Sequence, residues 1–70
     1  MSQVLKDIVY DLHVHSKCSA SEVSNHLGRS VSSVRYHLQK LVSLGLVKEV
    51  SKGYSFGGAF AGYDYSLTQR

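Results

Sequence analysis

The chain has 70 residues, of which 43% are hydrophobic and 19% charged, with four histidines, one cysteine and no proline. Such a length accommodates one small domain and excludes a second, and a domain this short buries only about 60% of its unfolded surface, so a second copy or a bound partner would help to stabilise it. The formal net charge of +3 is segmental: positions 29–52 hold Arg29, Arg35, Lys40, Lys48 and Lys52 against Glu49 alone, while the rest holds Lys6, Lys17 and Arg70 against Asp7, Asp11, Glu22 and Asp64, a pattern that suits a polyanion-binding surface better than scattered solubilising charge.

Val4, Leu5, Ile8, Val9 and Leu12 fall on one stripe of a 3.6-residue period with Lys6, Asp7 and Asp11 opposite, which predicts a helix over about 2–13. The period lapses through His15-Ser16-Lys17-Cys18-Ser19. Ser19, followed three residues later by Glu22, is a capping-box pattern that opens a short second helix, with Ala20, Val23 and Leu27 inward and Gly28 placed for a left-handed C-cap. After the link Gly28-Arg29-Ser30, Ser30 is the expected N-cap of a third helix over about 30–44, the strongest periodic signal in the chain, with Val31, Val34, Leu38 and Leu41 inward. Gly45 ends it, and Leu46-Val47-Lys48-Glu49-Val50 reads as a strand. Positions 53–62 contain four of the six glycines and predict a flexible hairpin loop. Tyr63-Asp64-Tyr65-Ser66-Leu67 alternates at period two and is the returning strand.

In this order, Ser19-Ala20-Ser21-Glu22-Val23 with Leu27-Gly28, Ser33-Val34-Arg35-Tyr36-His37-Leu38-Gln39-Lys40-Leu41, Leu44-Gly45-Leu46-Val47 and Tyr65-Ser66-Leu67-Thr68 together resemble the ArsR/MarR-type winged-helix transcription regulators of bacteria and archaea. The resemblance covers about residues 19–68 and is most specific from Val34 through Leu38 and Leu41 to Gly45-Leu46-Val47, where helix-core spacing runs straight into a strand. It implies an α+β fold over residues 1–70, a winged helix-turn-helix in which three helices precede a two-stranded β-hairpin wing. Regulators of that type usually carry extra helices for dimerisation, whereas here the first helix is the spare element. Their wings usually carry a cluster of basic residues, whereas this one has Lys52 at its base and Tyr54, Phe56 and Phe60 around Gly57-Gly58. Those rings either form an exposed contact surface or fold back onto the body.

At about 100° per residue, burying Val31, Val34, Leu38 and Leu41 turns Ser32, Tyr36, Gln39 and Ser43 outward, flanked by Ser33, Arg35 and Lys40. A helix that reads the major groove needs such a small, polar face in its first turns. Arg35 suits a bidentate contact to guanine, Gln39 suits adenine, and Tyr36 suits a base or a phosphate, with Arg29, Lys40 and Lys52 as phosphate partners around them. The plainer reading is an ordinary solvated helix face. The expected function is a small transcription regulator that binds double-stranded DNA, as a homodimer through the first helix, whose apolar residues exceed one narrow stripe. The alternative is a protein-interaction winged helix that docks a partner through the wing or third helix and does not bind DNA.

Other chemistries are expected to be absent. No paired carboxylates, nucleophile with a base, or phosphate-binding glycine loop is present, so the chain is not expected to be an enzyme or to carry a cofactor. His13, His15 and Cys18 are close in sequence, but the two histidines stand about 200° apart on a continuous helix, so no metal site is expected and Cys18 reads as a small buried thiol. One cysteine forms no internal disulfide, and no stretch approaches the ~20 apolar residues of a membrane span. The first twenty residues hold Lys6, Asp7, Asp11 and Lys17 where a secretion signal would be apolar. A cytoplasmic protein with no membrane partner is expected.

Overall fold

Each helix starts where a serine hydroxyl takes up a free backbone amide. In the computed structural model, which describes residues 2–68, the Ser2, Ser19 and Ser30 hydroxyls accept from the N–H groups of Leu5, Glu22 and Ser33 at 3.3, 3.2 and 3.3 Å. The Glu22 carboxylate accepts in return from the Ser19 N–H at 2.8 Å, completing the expected capping box. The helices are α1, Gln3–His15, α2, Ala20–Leu27, and α3, Val31–Ser43. The strands are β1, Cys18–Ser19, β2, Val47–Ser51, and β3, Tyr63–Leu67.

Helix ends follow the glycines where glycine is present. Gly28 takes the left-handed conformation at φ 65°, and its N–H and that of Arg29 both donate to the Ser24 carbonyl. At the end of α3, Gly45 at φ 78° donates to the Val42 carbonyl and Leu46 donates to that of Leu41, the paired bonds of a Schellman motif. α1 has no glycine to stop it and runs two residues past its predicted end. It closes at Ser16, whose φ of 69° and ψ of −53° make a strained γ-turn with Lys17 N–H donating to the His15 carbonyl at 2.8 Å.

The three helices and the sheet enclose one core of Leu5, Ile8, Leu12, Cys18, Ala20, Val23, Val34, Leu38, Leu41, Val47 and Tyr65. Val31, expected inward, is 37% exposed. It is the first residue of α3, and side chains on a helix lean toward its start, beyond the turns that pack on the core. Leu27 is half-buried against the core.

The sheet has three antiparallel strands in the order β1-β3-β2, so the expected two-stranded wing gains a third strand at the β3 edge. Two residues are too short to display a period, and β1 exists only because Cys18 and Ser19 meet Tyr65 and Asp64 across the sheet. β2 and β3 pair from Val47–Leu67 to Ser51–Tyr63. The glycine-rich stretch, expected as a flexible loop, continues that ladder: Lys52 donates to Gly62, Ala61 to Gly53 and Ser55 to Ala59, with Tyr54 bridging Phe60 and a turn at Ser55–Gly58.

Tyr65 joins the sheet to α3. Its ring is in the core, 4% exposed, and its hydroxyl donates to Glu49 Oε2 at 2.6 Å. The Gln39 amide donates to the same carboxylate oxygen at 2.7 Å and to the Tyr65 hydroxyl at 3.3 Å. Burial, reinforced by the Glu49 carboxylate, pushes the Tyr65 phenol from its usual 10 up to about 12.

Two measurements test this account of the fold. Ser19→Ala removes the hydroxyl half of the capping box and is expected to cost about 1 kcal/mol in urea unfolding; an unchanged midpoint would show that the box is ornamental. The unfolded Tyr65 phenol releases its proton near pH 10 and the folded one only near 12. Its contribution is therefore present below pH 10 and lost as pH rises to 12. The loss of stability over that interval is expected to be smaller in Tyr65→Phe, and the phenolate absorbance lost in that variant is the part that titrates near pH 12.

Candidate nucleic-acid interface

α3 packs its Val34, Leu38 and Leu41 stripe fully into the core, with 0% exposure for each. The rotation of the helix therefore puts Ser32, Arg35, Tyr36, Gln39 and Lys40 at the surface, with Ser33 half-buried between them. α3 carries no carboxylate. Arg29 is exposed in the turn between α2 and α3. That turn is clamped from both sides: Arg29 donates its N–H to the Ser24 carbonyl while the Ser24 hydroxyl donates to the Arg29 carbonyl. Lys52 is exposed at the base of the wing, its ammonium 3.9 Å from the Asp64 carboxylate.

A cleft separates α3 from the wing. Arg35 and Gln39 line one side, Glu49, Lys52, Phe60 and Tyr63 the other, and Ser19–Ser21 at the start of α2 close its end. Among its lining residues the cations are Arg35 and Lys52 and the one carboxylate is Glu49, already engaged by Tyr65 and Gln39, while Asp64 lies 3.9 Å from Lys52 beside the cleft. Such a cleft, bounded by the cationic side chains of Arg35 and Lys52, has the charge to accommodate a phosphate backbone. The B-DNA major groove, about 12 Å wide, admits a single helix such as α3.

Of the eight residues expected to contact DNA, Arg35, Gln39 and Lys52 converge on the cleft. Ser32, Ser33, Tyr36 and Lys40 lie along α3, and Arg29 precedes it. Tyr36 is 65% exposed, its ring edge-on to His37 at 5.2 Å. The His37 Nδ1–H donates to the Ser33 carbonyl at 2.7 Å, which fixes that ring one turn back along the helix. Gln39 has partners that a helical wheel does not display: its amide is bonded to Glu49 and Tyr65 across the cleft.

Glu49 and Tyr65 are the residues that sequence reasoning missed. Glu49 is the sole acid of the basic segment, which was the available signal. That it faces Tyr65 depends on the strand register, which pairs them directly.

The wing aromatics divide. Phe60 contacts Tyr54 and Tyr63 edge-on at 5.6 and 5.1 Å, whereas Phe56 at the tip is fully exposed. On the opposite side of the domain, Val9, Tyr10, Leu46 and Leu67 line an apolar groove edged by Lys6, His13 and Thr68. His13 thus lies away from His15, which sits 3.5 Å from Asp11. Cys18 is buried as expected, and burial with the nearby Asp11 carboxylate pushes its thiol up to about 11. Its sulfur nevertheless lies within 4.8 Å of a side-chain ligand atom on each of Asp11 and His26, a juxtaposition that the spacing of His13, His15 and Cys18 gave no reason to expect. Among the described residues no helix is long and apolar enough to cross a membrane.

Comparison with known proteins agrees with this architecture. The solved structure of the YusO protein from Bacillus subtilis superposes with a TM-score of 0.81 over 97% of this chain at 18% sequence identity, which establishes a shared fold. The chain spans 45% of the length of that protein. No curated protein sequence matches the chain. A family model described as a helix-turn-helix domain matches residues 4–50, which takes in α1 but for its first residue, β1, α2 and α3 and reaches into β2. With more than half of its length matched and three helices followed by a paired sheet, the chain belongs to the helix-turn-helix domain family and has a winged helix-turn-helix fold.

Proposed function

We propose that this chain is a small transcription regulator of the ArsR/MarR type that binds double-stranded DNA, with α3 in the major groove and the wing along the backbone. The observation that carries the reading is the outer face of α3. It is polar, lacks any carboxylate and carries exposed Arg35 and Lys40, with exposed Arg29 just before it and Lys52 lining the same cleft as Arg35. Arg35 reads guanine, and Ser32, Ser33 and Tyr36 contact bases or phosphates beside it. Arg29, Lys40 and Lys52 neutralise phosphates. Gln39 reaches a base only by giving up its bonds to Glu49 and Tyr65, so its contribution is smaller than that of Arg35. The chain acts by binding and not by catalysis.

We further propose a homodimer. The apolar groove beside Val9 and Tyr10 on α1, with Leu46 and Leu67, is the surface for a second copy, since Tyr10 is 68% exposed there. Two α3 helices related by a two-fold axis would address half-sites about 34 Å apart, which makes the binding site an inverted repeat. The exposed Phe56 favours one other reading, a module that docks a protein partner through its wing.

Titration of labelled duplex at several salt concentrations separates the two, since affinity for DNA must fall steeply with salt. Indifference to duplex would leave the partner reading. On the preferred site, Arg35→Ala is expected to cost ~1–3 kcal/mol and to relax base choice, with a smaller cost for Gln39→Ala. Lys40→Ala and Lys52→Ala should weaken all duplexes alike and lower the salt slope by about one each. Binding unaffected by Arg35→Ala would remove α3 from the major groove. For the dimer, sedimentation at micromolar concentration is expected to give twice 7.7 kDa, and Tyr10→Asp to return a folded monomer. A monomeric mass both free and on DNA would defeat it.

A further inference from the structure

Asp11 is the only charged residue that the described fold buries, and the DNA-facing surface makes no use of it. It lies on α1 one turn before His15. The His15 Nε2 is 3.5 Å from one carboxylate oxygen, and the Nδ1 of His26, on α2, is 2.9 Å from the other. The two imidazoles stack with centroids 4.3 Å apart and planes 25° from parallel. From the third side, the γ-turn at Ser16 returns the chain so that Cys18 enters the core at the start of β1, 2% exposed. Asp11, Cys18 and His26 thereby each present a ligand atom within 4.8 Å of the other two.

The donor set selects the ion. Calcium and magnesium take oxygen ligands, whereas a carboxylate, a thiolate and an imidazole together suit zinc or a metal of similar softness. In tetrahedral zinc sites with bonds of ~2.0–2.3 Å, ligand atoms lie about 3.5 Å apart, so the cluster has to contract by roughly 1 Å. His26, exposed near the end of a short helix, can supply that movement by exchanging its bond to Asp11 for one to the ion. Buried cysteine by itself is a small apolar side chain. Here it lies against a buried carboxylate, an arrangement that a cation between them would favour.

We propose that Asp11, Cys18 and His26 bind one zinc-class divalent ion; His15, which approaches Asp11 from outside this cluster of three, would have to shift to close the fourth position. The ion would tie α1, β1 and α2 together beneath the central strand, since Cys18 pairs with Tyr65 in the sheet. It supplies a fastening to a domain with a small core, and it is independent of whether the chain binds DNA.

Titrating the full chain with Co²⁺ tests the site. The expected result is one equivalent per chain, with the visible bands of a tetrahedral ion and a thiolate-to-cobalt charge-transfer band that Zn²⁺ abolishes, together with a rise in thermal midpoint when Zn²⁺ is added. Cys18→Ser is expected to lose the charge-transfer band. Because that change touches the core, His26→Gln provides a surface variant, expected to weaken Zn²⁺ binding at least tenfold while the apo domain stays folded. His13→Gln, outside the cluster, is expected to bind as the parent does. The proposal is overturned by absence of the charge-transfer band, by no rise in thermal midpoint with Zn²⁺, or by His26→Gln binding Zn²⁺ as tightly as the parent.

Discussion

The position of Tyr65 holds the outer surface of this domain in register. Its backbone lies in the central strand, facing Cys18 of β1 on one side and Glu49 of β2 on the other. Its ring fills the core and its hydroxyl reaches Glu49, which also holds the Gln39 amide. One side chain therefore sets the angle between the wing and α3. A buried phenol that could not donate its proton would leave an unsatisfied group, so burial and hydrogen bonding have to occur together. Among the described residues no buried side-chain polar atom lacks a partner.

That arrangement puts an acid inside a basic surface. Glu49 faces the same cleft as Arg35 and Lys52, and its carboxylate is spent on Tyr65 and Gln39. The two cations are left with less to attract them within the protein, apart from the loose contact of Lys52 with Asp64. Phosphate contacts made by such cations supply affinity independent of sequence, while discrimination depends on whichever α3 side chains reach base edges. The bonded state of Gln39 makes Arg35 the principal candidate for that role.

α1 serves three surroundings at once. Leu5, Ile8 and Leu12 enter the core, Val9 and Tyr10 border the apolar groove, and Asp11 with His15 faces α2. A helix with that many engaged faces is expected where the core is small, because a domain of this size has little apolar burial in reserve and relies on additional contacts. The strained turn at Ser16 follows from the same economy: α1 must stop abruptly for Cys18 to reach the sheet two residues later.

Local chemistry was legible in the residues themselves. Ser19 and Glu22, Ser30, Gly28 and Gly45 mark helix ends because each satisfies or permits a specific backbone geometry within four residues, and the Val34, Leu38 and Leu41 period fixes which face of α3 is outward. The polarity of that face and the basic segment around it are properties of the chain alone. Three features were decided only by folding, since each joins residues far apart in sequence. β1 is two residues long and acquires its identity from β3. The hold of Glu49 on Gln39 spans ten positions and depends on strand register. The meeting of Asp11, Cys18 and His26 needs the turn at Ser16 and the packing of α2 on α1. Periodicity and capping report on neighbours along the chain, whereas a hydrogen-bond partner or a ligand set is defined by distance in space, which only the packed core determines.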